Sequence, residues 1–536
     1  MKATKIFVNG EVFTSDSDGS IAEAIAIKDT HIIHVGSTTE VMNMADEQTK
    51  TFDLEGCSLL PGFIDAHAHL ELYGTNQLGV NCKTTESIEE LQAKLRDAAE
   101  QTPEGEWVRG WGYNQNHLSE KRHLTKYDLD NVSKSHPIIV VRTCGHISCV
   151  NSKALELAEI TNETPDPPGG TFHKENGELS GLLLEAAHMN TFQIADYSEE
   201  EVMQGLEIAS VDFLKHGITS VHDAGGYGTK HIRYLQKAVK ENKIKQSVYA
   251  LYGSLYESTA MVEAGIQSGI VTGLGNHRFK IGPAKVFIDG SSSGPTCKMR
   301  EAYTSNPADS GVLYMDQQAL TDSLGAAHRL GWQITAHAMG DEAVEMLLHT
   351  IEEALTSHPR DDHRHRLEHS GFTPDDLLQK IKATRSIPIP NPAFLYEFGD
   401  GYLNDYGDRV RNMFPLRSFV DHQVPFALGS DSPITSVNPF LGMYAAVTRK
   451  SKSGEPVGME QSISIEEAIR AYTRAGAHAS FEEDQKGSLE TGKLADLVVL
   501  DRPILSRNTE ELLDAGVVMT VLNGEIAYHK QKEDVH

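Results

Sequence analysis

From about residue 202 to residue 430 the chain repeats one rhythm, a short apolar run followed by a helical stretch. Helical segments such as Glu200–His216 separate Gly217–Ala224, Ser247–Gly253, Phe279–Gly290, Gln333–His337, Arg366–Ser370, Ser386–Pro390 and Pro425–Gly429. Each run reads as a strand, and Phe63–His69 upstream brings their number to eight. Eight strands alternating with helices is the arithmetic of a (β/α)8 barrel. The strongest rival is a doubly wound open sheet, but no G-x-G-x-x-G turn follows the first βα strand.

The two chain ends have a different character. Residues 5–58 alternate with period two and are punctuated by turns, with Asn9-Gly10 and the segments Ala24–Ile27 and Ile32–Val35 predicting hairpins and Thr51–Leu54 a further strand. The tail from 485 to 536 is again β-like, with Asn523-Gly524 as its hairpin turn. The expectation is a β-sandwich built from 1–58 and 485–536, beside a barrel of 59–74 and 202–484. Between them, residues 75–201 hold a predicted helix (Ser87–Glu100), an aromatic stretch (Trp107–Tyr113), a strand (Pro137–Arg142) and a turn-rich Thr164–Gly170. No βα rhythm is visible there, and the segment reads as an insertion covering the active site.

Composition narrows the functional classes. With 76 Asp and Glu against 48 Lys and Arg, the net charge of −28 argues against nucleic-acid and anionic-membrane partners. The five cysteines are scattered and include no C-x-x-C, which argues against a disulfide framework or a cysteine zinc site. The 25 histidines leave nitrogen and oxygen as the donors for any transition metal. The first residues lack a signal-peptide core, and no run reaches the roughly 20 apolar residues of a membrane span. A cytoplasmic enzyme or binding protein is expected.

Chemistry in a barrel of this kind sits at the C-terminal ends of its strands. Strand one ends in His67-Ala68-His69, and side chains two apart on a strand share a face, as two ligands of one metal must. Strand four carries Lys285 and Asp289, strand five ends at His337, strand six at Glu368-His369, and strand eight runs into Asp431. Among them four histidines, Lys285 and Asp431 are the residue types of a metal hydrolase site. His363, His365 and His369 share one parity, and His369 is preferred because it closes the apolar run while the others lie in its charged approach. His222 is read as structural, and Trp111 and Tyr113 as core.

The ordered motifs Pro-Gly-Phe-Ile-Asp-Ala-His-Ala-His (61–69), Gly-His-Ile-Ser-Cys-Val-Asn-Ser-Lys-Ala-Leu (145–155), Lys-Val-Phe-Ile-Asp-Gly-Ser (285–291), His-Ala-Met-Gly-Asp (337–341), Leu-Glu-His (367–369), Gly-Ser-Asp-Ser-Pro (429–433) and Gly-Lys-Leu-Ala-Asp-Leu-Val-Val-Leu (492–500) span nearly the whole chain. Together they resemble the amidohydrolase superfamily, and within it the N-substituted formamide deformylase-like (YtcJ-like) branch. The resemblance implies a (β/α)8 barrel with a β-sandwich from both termini, one or two divalent metals, with Zn2+ expected, and hydrolysis of a C–N or related bond. It also implies that His67, His69, His337, His369 and Asp431 are metal ligands. Lys285 matches a lysine that in many relatives is carboxylated and bridges two metals; the alternative is an unmodified lysine beside a mononuclear site. His146, Arg142 and Asp289 match positions near the substrate.

The implied mechanism follows from the metal, since bound Zn2+ lowers the pKa of its water from about 15.7 to about 7. Asp431 is the expected proton shuttle, with His337 or His146 stabilising the oxyanion. Lactone or ester hydrolysis on the same site, and a non-catalytic metal-binding barrel, are the competing expectations. The expected partner is a small-molecule substrate; a homodimer is expected from the resemblance alone.

Overall fold

The computed structural model describes residues 2–255, 258–505 and 509–530. Seven parallel strands lie side by side in chain order: Phe63–Ala68, Ile218–Asp223, Ser247–Tyr252, Phe279–Phe287, Ile334–Ala338, Arg366–His369 and Ile387–Ile389. The eighth segment, 425–429, joins no regular ladder but hydrogen-bonds to both free edges. Ala427 and Gly429 donate to the carbonyls of Pro388 and Pro390 (3.2 Å each), while Ala66 donates to Leu428 (3.1 Å) and Asp431 to His67 (2.7 Å). Prolines 388, 390 and 425 have no N–H to give, which is why the pairing is incomplete at this seam. The barrel is nevertheless closed, and closed tightly. A Cβ on Gly429 would lie 2.6 Å from the His67 nitrogen, so only glycine lets the eighth segment approach the first strand.

The helices cover the barrel. Glu199–Lys215 is representative: Ser198 and Glu201 form a capping box, three glutamates occupy its first turn and Lys215 its last, each favourable to the helix dipole. Val202, Leu206, Ala209 and Phe213 recur at helical spacing and are buried. Burying each larger apolar side chain contributes about 1.5–3 kcal/mol. Among the described residues no helix is long and apolar enough to cross a membrane, and all five cysteines are free.

Both chain ends form the sandwich. One sheet runs His31–Gly36, Ala24–Lys28, Lys5–Val8, Lys50–Asp53, and the other Glu525–His529, Val517–Leu522, Leu497–Leu500, Ser58–Pro61, Glu11–Phe13, Ile21–Ala22. Ser58–Pro61 pairs antiparallel with Leu497–Leu500 and parallel with Glu11–Phe13, stitching N- and C-terminal chain together. The predicted Asn523-Gly524 hairpin is present, with Leu522 opposite Glu525 and both turn residues at positive φ (49° and 75°).

The predicted Asn9-Gly10 hairpin is not. Its two flanking strands lie in different sheets. Phe7 and Val12 both point into the core between the sheets, whereas Ile6 and Val8 pack in a second core with Val41. A hairpin would leave Phe7 and Val12 in one sheet; burying them from opposite sides requires the chain to cross over at Asn9, whose φ is 57°.

The insertion is a six-stranded mixed sheet: Gly170–Glu175, Glu178–Glu185, Ile147–Val150, Ile138–Arg142, Val108–Tyr113, Val80–Asn81. Contrary to expectation it begins with βα units. Val80–Asn81, Val108–Tyr113 and Ile138–Arg142 are parallel and are connected through helices Ile88–Gln101 and Lys126–Asp130. The pattern escaped reading because its first strand has 2 residues and its second helix 5, too short to show a period.

Phe7 is completely buried and stacks on Phe52 at 4.8 Å. Phe7→Ala should cost about 3–5 kcal/mol by leaving a cavity between the sheets. A lowered thermal midpoint is expected, and an unchanged one would show that the sandwich core does not limit unfolding.

Candidate metal centre

The strand ends converge on one buried cavity of about 40 Å3, lined by His67, His69, Lys285, His337, His369 and Asp431. At about 10–15 Å3 for each water-sized group, it has room for a few small groups. His67 and His69 project from strand one with ring centroids 5.4 Å apart, and His369 lies 4.7 Å from His67 and 4.5 Å from His337. Asp431 Oδ1 sits 3.3 Å from both His67 Nε2 and His69 Nε2. One donor atom from each of these three residues falls within 4.8 Å of the others. The insertion roofs the cavity with Cys144, Gly145, His146 and Met189.

Each histidine is held by one ring nitrogen, which leaves the other available. His67 Nδ1 meets Glu368 Oε2 at 2.5 Å, His69 Nδ1 the Gly225 carbonyl at 2.7 Å and His369 Nδ1 the Asn391 Oδ1 at 2.8 Å. His337 is held through Nε2, 3.1 Å from the Gly290 carbonyl. Fixing one nitrogen sets the tautomer and aims the ring. Burial drives His69 and His337 below the ordinary imidazole range and His369 down to about 3, so these rings are neutral, the form that ligates. Asp431 goes the other way: burial opposes its charge, but His67 and His69 hold its carboxyl well below the usual range. Lys285 is pushed down to about 8 by burial, with Glu368 and Asp431 acting against that shift. Its Nζ donates to the Ala224 carbonyl at 2.7 Å.

This donor set fits a divalent transition ion. His67 Nε2 is buried and makes no hydrogen bond among the described residues, although a polar atom in that position normally has a partner. Neutral imidazoles, one carboxylate and no thiolate are the donors that suit zinc and its neighbours.

Behind the cavity lies a fully buried network that the sequence reading missed. Arg366 donates to both oxygens of Glu368 (2.8 and 2.9 Å), to His222 Nδ1 (2.9 Å) and to the Ala66 carbonyl (2.7 Å). Glu368 therefore aims His67 while it neutralises Arg366. The signal was visible in Leu-Glu-His at 367–369, yet nothing in sequence says that the glutamate side chain faces a histidine 301 positions away. Asp65, in the first motif, was missed likewise. It accepts from Ser430 N and Oγ (2.9 and 2.6 Å), tying strand one to the residue before Asp431, and burial pushes its carboxyl up to about 6.

The other expected residues are placed as follows. His146 lines the cavity, its ring centroid 6.0 Å from His337. Its Nδ1 lies 2.8 Å from Glu185 Oε2, which also accepts from the Tyr314 hydroxyl. Burial opposes its charge but Glu185 prevails, raising His146 to about 9. Asp289 is completely buried behind His337, 3.5 Å from Nε2, accepting the amides of Met339, Gly340 and Lys298. Arg142 is not part of the cavity lining; its Nε donates to Gln115 Oε1 (2.7 Å) and its Nη2 approaches the Ser293 carbonyl (3.4 Å). His363 and His365 lie ahead of strand six, bonded to the Thr384 carbonyl and to His328. Trp111 and Tyr113 are buried in the hydrophobic cores.

Glu368 supplies a test of the network. Burial opposes its charge, but Arg366 and His67 hold its carboxyl well below 4.5. A depressed folded pKa contributes stability that is fully present above about 4.5 and is lost as pH falls through the folded value. Glu368→Gln should cost about 3–5 kcal/mol near neutrality by leaving Arg366 buried without its carboxylate. The gap in thermal midpoint between variant and wild type should narrow as the pH falls below 4.5; a gap independent of pH would contradict this account.

Comparison with known proteins agrees with this architecture. A model of the amidohydrolase family matches residues 50–528. YtcJ of Bacillus subtilis is 30% identical over 99% of this chain and 100% of its own length. The N-substituted formamide deformylase of Arthrobacter pascens is 28% identical over 98% of each chain. The crystal structure of a metal-dependent hydrolase from Pyrococcus horikoshii superposes with a TM-score of 0.76 at 25% identity, covering 94% of this chain and 99% of that one. With a family model spanning most of its length and a barrel, sandwich and strand-end cavity to match, the chain belongs to the amidohydrolase family and is a hydrolase of carbon–nitrogen bonds other than peptide bonds.

Proposed function

We propose that this protein is a metal-dependent hydrolase of a small amide or N-substituted formamide, with His67, His69, Lys285, His337, His369 and Asp431 holding one or two divalent ions. Zn2+ is the expected metal, and the carbamate the expected state of Lys285. The observation that carries the reading is the meeting of four histidines, a carboxylate and a lysine in one buried cavity. A divalent ion held there supplies Lewis acidity, polarising a carbonyl and making water acidic near neutral pH.

The remaining work falls to the side chains. Asp431, ionised and 3.3 Å from two imidazole nitrogens, takes a proton from the attacking water and returns it to the leaving nitrogen. An amide nitrogen leaves poorly, so the return is as necessary as the removal. His146, kept charged by Glu185, faces the same cavity and stabilises the oxyanion, while His337, whose one N–H goes to the Gly290 carbonyl, offers Nδ1 as a ligand. Asp289 steadies His337, and Arg142 steadies the roof through Gln115. Leu72, Met189, Phe287, Phe394 and Ile434 form apolar wall, which suits an uncharged nitrogen substituent and keeps water out. The small volume at the histidines suits a compact acyl group, and the name of the Arthrobacter relative supports a formyl.

Turnover should appear in a panel of N-substituted formamides, cyclic amides and lactones assayed with metal-loaded protein; turnover of lactones alone would overturn the C–N assignment. Elemental analysis should find one or two divalent ions per chain, and a metal-free preparation with full activity would sink the proposal. Asp431→Asn should lower kcat by about 10²–10⁴-fold with a smaller change in KM. Retention of more than about a tenth of wild-type kcat would place the base elsewhere. Lys285→Met should lose metal if the carbamate is a ligand, whereas full metal content and near-normal turnover would leave Lys285 a packing residue.

A further inference from the structure

Outside the cavity and the Arg366–Glu368 network, a further cluster of titratable side chains is as deeply buried as the candidate ligands. Glu71 lies on helix Leu70–Asn76, Asp223 ends the second barrel strand, and His231 lies on helix Lys230–Lys240; all three are buried, Asp223 and His231 completely. His231 Nδ1 meets Glu71 Oε2, and His231 Nε2 lies 2.5 Å from Asp223 Oδ1. A carboxyl group thus engages each ring nitrogen, which fixes the ring at both ends.

What distinguishes this triad from an ordinary buried ion cluster is where Asp223 spends its other hydrogen bonds. Its Oδ2 accepts the Leu70 amide at 2.9 Å, and its Oδ1 the Gly225 amide at 3.2 Å. Leu70 is the residue after His69, and the Gly225 carbonyl is the acceptor that fixes His69 Nδ1. Asp223 thus holds both the main chain leaving His69 and the turn that aims its ring. The His231 ring packs directly on that turn, since a Cβ on Gly226 would lie 2.3 Å from its Nδ1. Three polar side chains out of water are costly, and an apolar trio of similar volume would fill the same space. An apolar trio would not hold the two amides.

We propose that Glu71, His231 and Asp223 form a positioning clamp that fixes the direction of the His69 ring and thereby the metal affinity of the centre. The inference rests on the reading of His69 as a ligand. Neither Glu71 nor His231 touches the cavity, so both act through Asp223 and the Gly225 turn.

The test uses the full-length chain, stripped of metal and titrated with Zn2+ against a chromophoric chelator, with the thermal midpoint of the metal-free protein measured alongside. His231→Gln should weaken Zn2+ binding by about 10–100-fold. Glu71→Gln should weaken it less, because the amide oxygen still accepts from the imidazole. In the Co2+-substituted protein the same variants should shift the visible absorption bands, which report ligand geometry. A purely structural role predicts a lower metal-free midpoint with Zn2+ affinity within twofold of wild type and unshifted bands, and that result overturns the clamp. If His231→Gln does not fold, Glu71→Gln decides by the same criteria. His69→Asn separates the two levels of the argument. Wild-type affinity in that variant overturns the ligand reading itself, whereas a large loss there beside unchanged Glu71→Gln and His231→Gln overturns the clamp alone.

Discussion

The interior of this barrel is organised around one ion pair. Arg366 and Glu368 are both completely buried, and taking each ion out of water costs several kcal/mol. The geometry offsets that cost: two parallel hydrogen bonds join them, and the remaining donors and acceptors reach Ala66, His222, Thr335 and His67. Strands one, two, five and six are thereby tied to one guanidinium and one carboxylate. A hydrophobic plug would fill the same space, but it would not orient His67. The pair is better understood as a device for aiming a candidate ligand than as a source of stability.

The same logic recurs at strands one and eight. Asp65 reaches across to Ser430, Asp431 donates its amide to the His67 carbonyl, and Gly429 allows the two segments to touch. Asp431, His369 and Ser370 all hold positive φ values (55°, 67° and 48°). Such conformations cost of order 1–3 kcal/mol each for residues with a Cβ, and they persist where surrounding contacts over-determine them. For Asp431 one of those contacts is its amide bond to the His67 carbonyl, which also closes the barrel, so closure and the shape of the site depend on one another there.

Much of this was legible in the chain. Period and length alone placed seven barrel strands to within a few residues, because strands buried on both faces must be apolar along their length. The strand-end rule then gathered His67, His69, Lys285, His337, His369 and Asp431 without any knowledge of distance. The reading failed where local pattern and tertiary demand diverge. Asn9-Gly10 has the composition of a hairpin, yet Phe7 and Val12 must enter one core from opposite sides. The eighth strand reads as apolar, yet the prolines at its seam withhold the donors of a ladder. The βα units of the insertion were too short to register as periodic.

Spacing along the chain determined which residues share a face and which end of the barrel they occupy, because strand and helix periods are local properties of the backbone. It could not determine which nitrogen of each histidine is held, or by what. Glu368 meets His67 across 301 residues, and His231 meets Glu71 across 160. The first encounter exists only once the strands have curled into a ring, and the second only once strands one and two lie side by side, since a hydrogen bond needs two atoms within about 3 Å and sequence separation carries no information about that distance.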